Sequence, residues 1–222
     1  GAEAQAHLIN DLIQSVLPSI YPMLKASYGL TFTQIGLITL TFQLTASLLQ
    51  PWVGYHTDRH PKPWLLPAGS ICTLIGIVMM SVVGSFPMIL LAAALIGIGS
   101  STFHPEASRI ARLASGGRFG LAQSTFQVGG NAGSAFGPLL AAAIIIPFGQ
   151  GNVAWFGLFA VFALFVLYRI SRWYAHHLNL FKLKAGQAAT HGLSKGRVTS
   201  ALVVLGLLVF SKYFYMASLT SY

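Results

Sequence analysis

The chain of 222 residues is 55% hydrophobic and only 8% charged, against roughly 25% charged residues in a soluble domain, which excludes an ordinary water-soluble fold and leaves lipid as the solvent. Its formal charge of +9 does not mark a nucleic-acid binder, because Lys and Arg are confined to short segments between apolar runs. The single cysteine, Cys72, excludes an intrachain disulfide framework, and the first residues lack the basic stretch and cleavage site of a signal peptide.

Seven apolar runs follow one another, at about 7–24, 33–55, 64–84, 88–108, 119–146, 153–174 and 199–221. Each is close to the roughly 20 residues a helix needs to cross a bilayer while satisfying its own backbone. Of the 13 Lys and Arg residues, all but Lys25 and Lys212 lie in or beside the connections after spans two, four and six. That asymmetry predicts a cytoplasmic N-terminus and cytoplasmic even-numbered connections. The 4 Trp residues, Trp52, Trp64, Trp155 and Trp173, fall near span ends, as an interfacial belt requires.

The expected organisation is a six-span bundle over 1–174, a cytoplasmic linker over 175–198, and span seven over 199–222 opening a second bundle. The linker mixes Lys, His, Gly and Gln without an apolar period. A chain that stops directly after such a span is expected to be incomplete.

In span one, His7, Asn10, Asp11 and Gln14 stand at i, i+3, i+4 and i+7 and share one face of an otherwise apolar helix. Such a stripe must face protein or water. An intramembrane acid is costly when charged and marks a functional site by default, so Asp11 is the expected proton-coupling residue. A helix-start acid partnered by His7 or Asn10 is the plainer alternative.

Gln43, Ser47 and Gln50 align on span two, and Gln123, Gln127 and Asn131 on span five. They suit either a substrate cavity or hydrogen bonding between helices. The two spans share the pattern Thr-Phe-Gln at 41–43 and 125–127, each with a proline downstream, Pro51 and Pro138. Opposite directions would make them counterparts in an inverted three-plus-three repeat.

Span four ends in His104, Pro105, Glu106 and Arg109. Glu106 and Arg109 are i, i+3 neighbours, which predicts an ion pair with a structural or gating role. In span five Gly129, Gly133 and Gly137 recur every four residues before Pro138, a flat ridge for close helix packing. Lys212, some 13 residues into span seven, calls for an anionic partner, either a substrate group or Asp11.

The segment GYHTDRHPK at 54–62 resembles the cytoplasmic signature between spans two and three of the major facilitator superfamily. The segment GGNAGSAFGP at 129–138 resembles the glycine-proline signature of that superfamily's antiporters. The stretches LTFQL at 40–44, STFHPEASR at 101–109, ASGGR at 114–118 and SKYFYM at 211–216 are similar to bacterial phosphonate-antibiotic exporters within it. The resemblance implies an all-α membrane fold, with two inverted three-helix repeats plus span seven of an expected twelve. It also implies a charge network of Asp58, Arg59 and Lys62 that controls closure of the cytoplasmic side, and export of a small anionic compound in exchange for protons. Pro61 stands near the usual second glycine of the first signature, which alters the loop geometry.

The expected protein is therefore a proton-coupled exporter in the bacterial inner membrane, with no cofactor or metal and a monomeric state. Its partners are the bilayer, protons and a small-molecule substrate, with no nucleic acid. His7, Asn10, Gln14, Gln43, Gln127, Asn131 and Lys212 are the expected substrate pathway. A proton-coupled importer would use the same scaffold. A membrane-embedded enzyme built on His104, Glu106 and the His176–His177 pair is a different class, but these residues have no recognisable metal spacing, and phosphate-loop, zinc-helix and nucleophile-elbow motifs are missing from the sequence.

Overall fold

In the computed structural model the backbone is described over residues 1–187 and 194–220, and side chains are described except at 179–187, 195, 212, 213 and 216–220. Among the described residues there are helices and turns and no strand. The chain divides into two units, Gly1–Leu178 and Asn179–Tyr222.

Span one is broken. Helix α1 (Ala2–Ser19) ends just after Pro18, Ile20 leaves helical geometry, and α2 (Tyr21–Tyr28) restarts with Pro22 in its first turn. Proline is suited to a first turn and disruptive inside a helix, which explains the bend. Gly29, at φ 58, closes α2 in the left-handed conformation. A reciprocal capping box between Thr31 and Gln34 then starts α3 (Phe32–Gln43). The second span runs through a π-helical turn at Leu44–Leu48 into α4 (Leu49–Arg59), and ends before the Pro61 and Pro63 pair.

The third and fourth spans are α5 (Leu65–Val82) and α6 (Phe86–Leu113). Span five is α7 (Phe119–Leu140), a second π turn at Ala141–Ile145, and the single turn α8 (Ile146–Phe148). Each π turn is followed within three residues by a proline, Pro51 or Pro147. The structural echo of Pro51 is thus Pro147 and not Pro138. A proline withholds one ladder donor, and π turns are one way a helix takes up such a gap.

Helix α9 (Trp155–Gln187) runs 33 residues, so the expected linker is helical through residue 187. Five stretches are long and apolar enough to cross a membrane among the described residues: Phe32–Arg59, Leu65–Val82, Phe86–Leu113, Phe119–Phe148 and Gln150–Leu178. The first expected span is missing from that set because α1 carries the polar stripe and breaks at Ile20. In the second unit, α10 (Lys195–Thr220) has a shorter apolar stretch, Gly196–Ser211, whose described side chains are all exposed.

Helix pairing within the first unit follows its glycines. An added Cβ at Gly129, Gly133 or Gly137 would sit against backbone atoms of Ala4, Leu8 or Leu12. Both sets of numbers rise together, so α1 and α7 are parallel, with backbones in contact along three turns. Gly97 of α6 meets Phe42 and Thr45, and Gly54 of α4 meets Pro105, which makes spans two and four parallel as well. Gly69 and Gly76 of α5 meet α6 in the opposite sense. An inverted repeat maps pair one and five onto pair four and two, and both pairs have the required direction. The core between them contains Leu12, Ile13, Val16, Ile77, Met80, Ile96 and Phe156, while Leu48, Trp52, Val82, Leu158 and Phe165 stand exposed, as lipid-facing side chains do.

Candidate functional site

The stripe on α1 points inward. His7 and Asn10 are buried, and the Asp11 side chain is 19% exposed. Spacing of i, i+4 brings His7 Nε2 to 3.2 Å from Asp11 Oδ2. His104 of α6 reaches the other carboxylate oxygen, Nε2 to Oδ1, at 3.3 Å, and the Asn10 amide donates to the same oxygen at 3.1 Å. One turn along, Ser100 Oγ donates to Gln14 Oε1 at 2.9 Å. Spans one and four are therefore joined by two adjacent polar contacts within the apolar part of the unit.

The imidazoles are held from behind. His7 Nδ1 donates to the Phe126 carbonyl at 2.8 Å, and its ring stacks on Phe126 at 3.9 Å. His104 Nδ1 donates to the Ser100 carbonyl at 3.1 Å. Gly130 makes room: a Cβ there would be 2.5 Å from His7 Nε2 and 2.8 Å from Asp11 Oδ2. One ligand atom from each of His7, Asp11 and His104 lies within 4.8 Å of the others, and no Lys or Arg pairs with Asp11 among the described residues. The arrangement can take up, hold and release cations, protons included, between two helices.

A second cluster joins α4 to α6. Arg109 Nη2 meets Glu106 Oε2 at 2.5 Å, and Glu106 is fully buried. Arg109 Nη1 donates to the Thr57 carbonyl and lies 3.6 Å from Asp58 Oδ1, while the guanidinium sits 5.5 Å from the Tyr174 ring centre. Glu106 Oε1 and Arg109 Nε have no hydrogen-bond partner among the described residues. Arg59 packs over Tyr55 at 3.6 Å, and neither it nor Lys62 forms an ion pair with a described residue. Of the expected charge network, then, Asp58, Glu106 and Arg109 come together, and Arg59 and Lys62 stand apart.

The remaining residues are dispersed. Gln43, Gln127 and Asn131 are exposed on the outside of the unit. Asn10 borders a small cleft with Ser70, Thr73 and Leu167. Lys212 belongs to α10, but its side chain lies outside the described residues. Sequence spacing did not pair His104 with Asp11, nor Gln14 with Ser100, and Gly130 was overlooked beside the four-residue ridge. The doublet Gly129–Gly130 was the available signal, since a ridge of period four does not need its second member.

The sequence matches the profile of the Major Facilitator Superfamily over residues 5–222. It is 59% identical over 224 residues to the fosmidomycin resistance protein of Escherichia coli, covering 100% of this chain and 55% of the relative. A Bacillus subtilis protein named an uncharacterized transporter of the same superfamily is 43% identical over 202 residues, 89% of this chain and 49% of the relative. A Staphylococcus carnosus protein named a probable nitrate transporter is 26% identical over 144 residues, 65% of this chain and 36% of the relative. The chain thus spans about half the length of the two more similar relatives.

Proposed function

Because the chain belongs to the major facilitator superfamily of membrane transporters, we propose that it supplies the first bundle and the opening of the second in a proton-coupled antiporter that exports a small anionic compound. The division at 1–174, 175–198 and 199–222, the bacterial inner-membrane location and the cytoplasmic N-terminus are parts of the same reading. One observation carries it: an acid with 19% exposure is held between His7 and His104, on spans one and four, with no Lys or Arg beside it among the described residues. An acid so placed changes its partners when it gains or loses a proton, and so biases which helix contacts form.

The substrate class is drawn from relatives. The fosmidomycin resistance protein is named for resistance to a phosphonate, and the distant Staphylococcus carnosus protein is named for nitrate. Both are anions. Gln43, Gln127 and Asn131 are exposed amides on apolar spans, which lipid would leave unsatisfied. They fit a pathway wall that a second bundle completes, with Lys212 supplying positive charge from span seven. The buried Glu106, Arg109 and the more exposed Asp58 form the closing network on the expected cytoplasmic side.

The test uses the intact transporter in liposomes with an imposed pH gradient. Fosmidomycin should move against its own gradient in the direction opposite to proton flow. Asp11→Asn should reduce that gradient-driven flux to the level of protein-free vesicles, with normal yield and a monodisperse elution profile. Flux in the same direction as the protons would replace the exporter with an importer, and undiminished flux in Asp11→Asn would remove Asp11 from the coupling role.

A further inference from the structure

The two histidines beside Asp11 are oriented in a way that proton exchange alone does not require. A backbone carbonyl only accepts, so each Nδ1 must carry a hydrogen, His7 toward Phe126 at 2.8 Å and His104 toward Ser100 at 3.1 Å. In a neutral ring this leaves Nε2 with a bare lone pair. Both Nε2 atoms face the same carboxylate, at 3.2 and 3.3 Å, acceptor against acceptor. A proton on a ring or on the carboxyl turns such a gap into a hydrogen bond, and a divalent ion can take the same place with both rings neutral.

We propose that His7, Asp11 and His104 form a binding site for a first-row divalent transition metal ion of the zinc or cobalt kind, clamping span one to span four. Two imidazoles and a carboxylate are a donor set that such ions favour over magnesium or calcium, which prefer all-oxygen shells. Each nitrogen stands from its own carboxylate oxygen, His7 from Oδ2 and His104 from Oδ1, at about the roughly 3.3 Å edge of a tetrahedron with bonds of 2.0–2.1 Å, so the carboxylate would bridge the two rings through both oxygens. One ligand atom from each of the three residues lies within 4.8 Å of the others. The Nδ1 hydrogen bonds to carbonyls are the outer-shell contacts that orient metal-binding histidines. His7 cannot swing away, because Phe126 covers one face and Gly130 abuts its edge. The His56–His60 pair at the C-terminal end of α4, with ring centres 5.3 Å apart, is a two-imidazole surface pair and serves as the comparison.

Cobalt(II) added to the intact, tag-free transporter in detergent reports the site by its visible absorption and by bound metal per protein after gel filtration. One equivalent should bind, and His104→Ala should lose that equivalent. The double variant His56→Ala, His60→Ala should keep it. His104→Cys should restore binding and add a thiolate-to-cobalt charge-transfer band, which a folding defect in His104→Ala could not imitate. The proposal is overturned if His104→Ala binds as much cobalt as the parent, if the equivalent vanishes with His56 and His60, or if His104→Cys shows no such band. None of these readouts depends on transport, so the proton-coupling reading stands or falls separately.

Discussion

The two parallel helix pairs of the first unit are built differently. Between α1 and α7, Gly129, Gly130, Gly133 and Gly137 bring each successive turn against the partner, and most of the atoms an added Cβ would strike are backbone. Between spans two and four, only Gly97 is that tight. Toward the Arg109 end the contact relaxes, until a Cβ at Gly54 would lie an ordinary 3.5 Å from Pro105 Cβ. The π turn at Leu44–Leu48 includes Thr45 at the tight point and leads toward the looser one. Backbone contact fixes helix separation, whereas side-chain contact leaves room for adjustment. The rigid pair carries His7 and Asp11, and the tapering pair carries His104, Glu106 and Arg109. The His7–Asp11–His104 cluster thus joins the two pairs, whereas Glu106 and Arg109 lie wholly within the one that relaxes.

The largest expected effect comes from forcing the rigid pair apart. Gly133→Leu should leave no monodisperse protein in detergent, because the Leu8 carbonyl cannot yield without displacing α1. Gly133→Ala should act in the same direction, at or above the upper end of the roughly 1–3 kcal/mol seen for overpacked cores. Gly54→Ala, in the tapering pair, should stay within about 0.5 kcal/mol of the parent. Thermal unfolding of the purified transporter measures all three. Equal losses at Gly133 and Gly54 would erase the distinction between the pairs.

Next in size is the charge pair of the tapering region. Arg109→Ala strands the fully buried Glu106 carboxylate, and breaking a buried pair from one side costs roughly 3–5 kcal/mol. Adding Glu106→Gln should recover most of that loss, since the second change removes the uncompensated charge. Asp58→Asn should change little, because its carboxylate is 72% exposed and lies 3.6 Å from Arg109. The melting temperatures of the three variants form the check. A double variant no more stable than Arg109→Ala would mean that Glu106 is satisfied by something other than the guanidinium.

What could be read from the sequence was what lies within one helix. Spacing alone placed His7, Asp11 and Gln14 on one face, paired Glu106 with Arg109 and exposed the glycine ridge, since 3.6 residues per turn fixes those relations before any tertiary contact. The contacts between helices were not legible. His104 stands 93 positions from Asp11, and nothing local distinguishes it from a histidine bonded to its own helix. Gly130 matters because the His7 ring, from another helix, lies where its Cβ would be. Similarly, the break at Ile20 and the helical course of α9 to Gln187 depend on how the backbone resolves competing local preferences, which apolar length does not report. The charge network was half legible: the Asp58 and Arg109 neighbourhood formed, while Arg59 turned onto Tyr55.

The smallest effect tests whether the rigid region also needs its polar contacts. Ser100 Oγ donates to Gln14 Oε1 at 2.9 Å, and the Gln14 amide nitrogen is buried without a hydrogen-bond partner among the described residues. Ser100→Ala removes the donor and leaves the Gln14 carbonyl oxygen unpaired, which should cost about 1 kcal/mol. Gln14→Leu leaves Ser100 an alternative in its own helix, where a serine hydroxyl can bond to a carbonyl one turn back, so it should cost less or stabilise. The order of those two unfolding temperatures decides the matter. If Ser100→Ala is the more damaging, the cost lies in the stranded Gln14 carbonyl; if Gln14→Leu is, the cost lies in replacing the Gln14 side chain between spans one and four rather than in the lost hydrogen bond, which both variants remove.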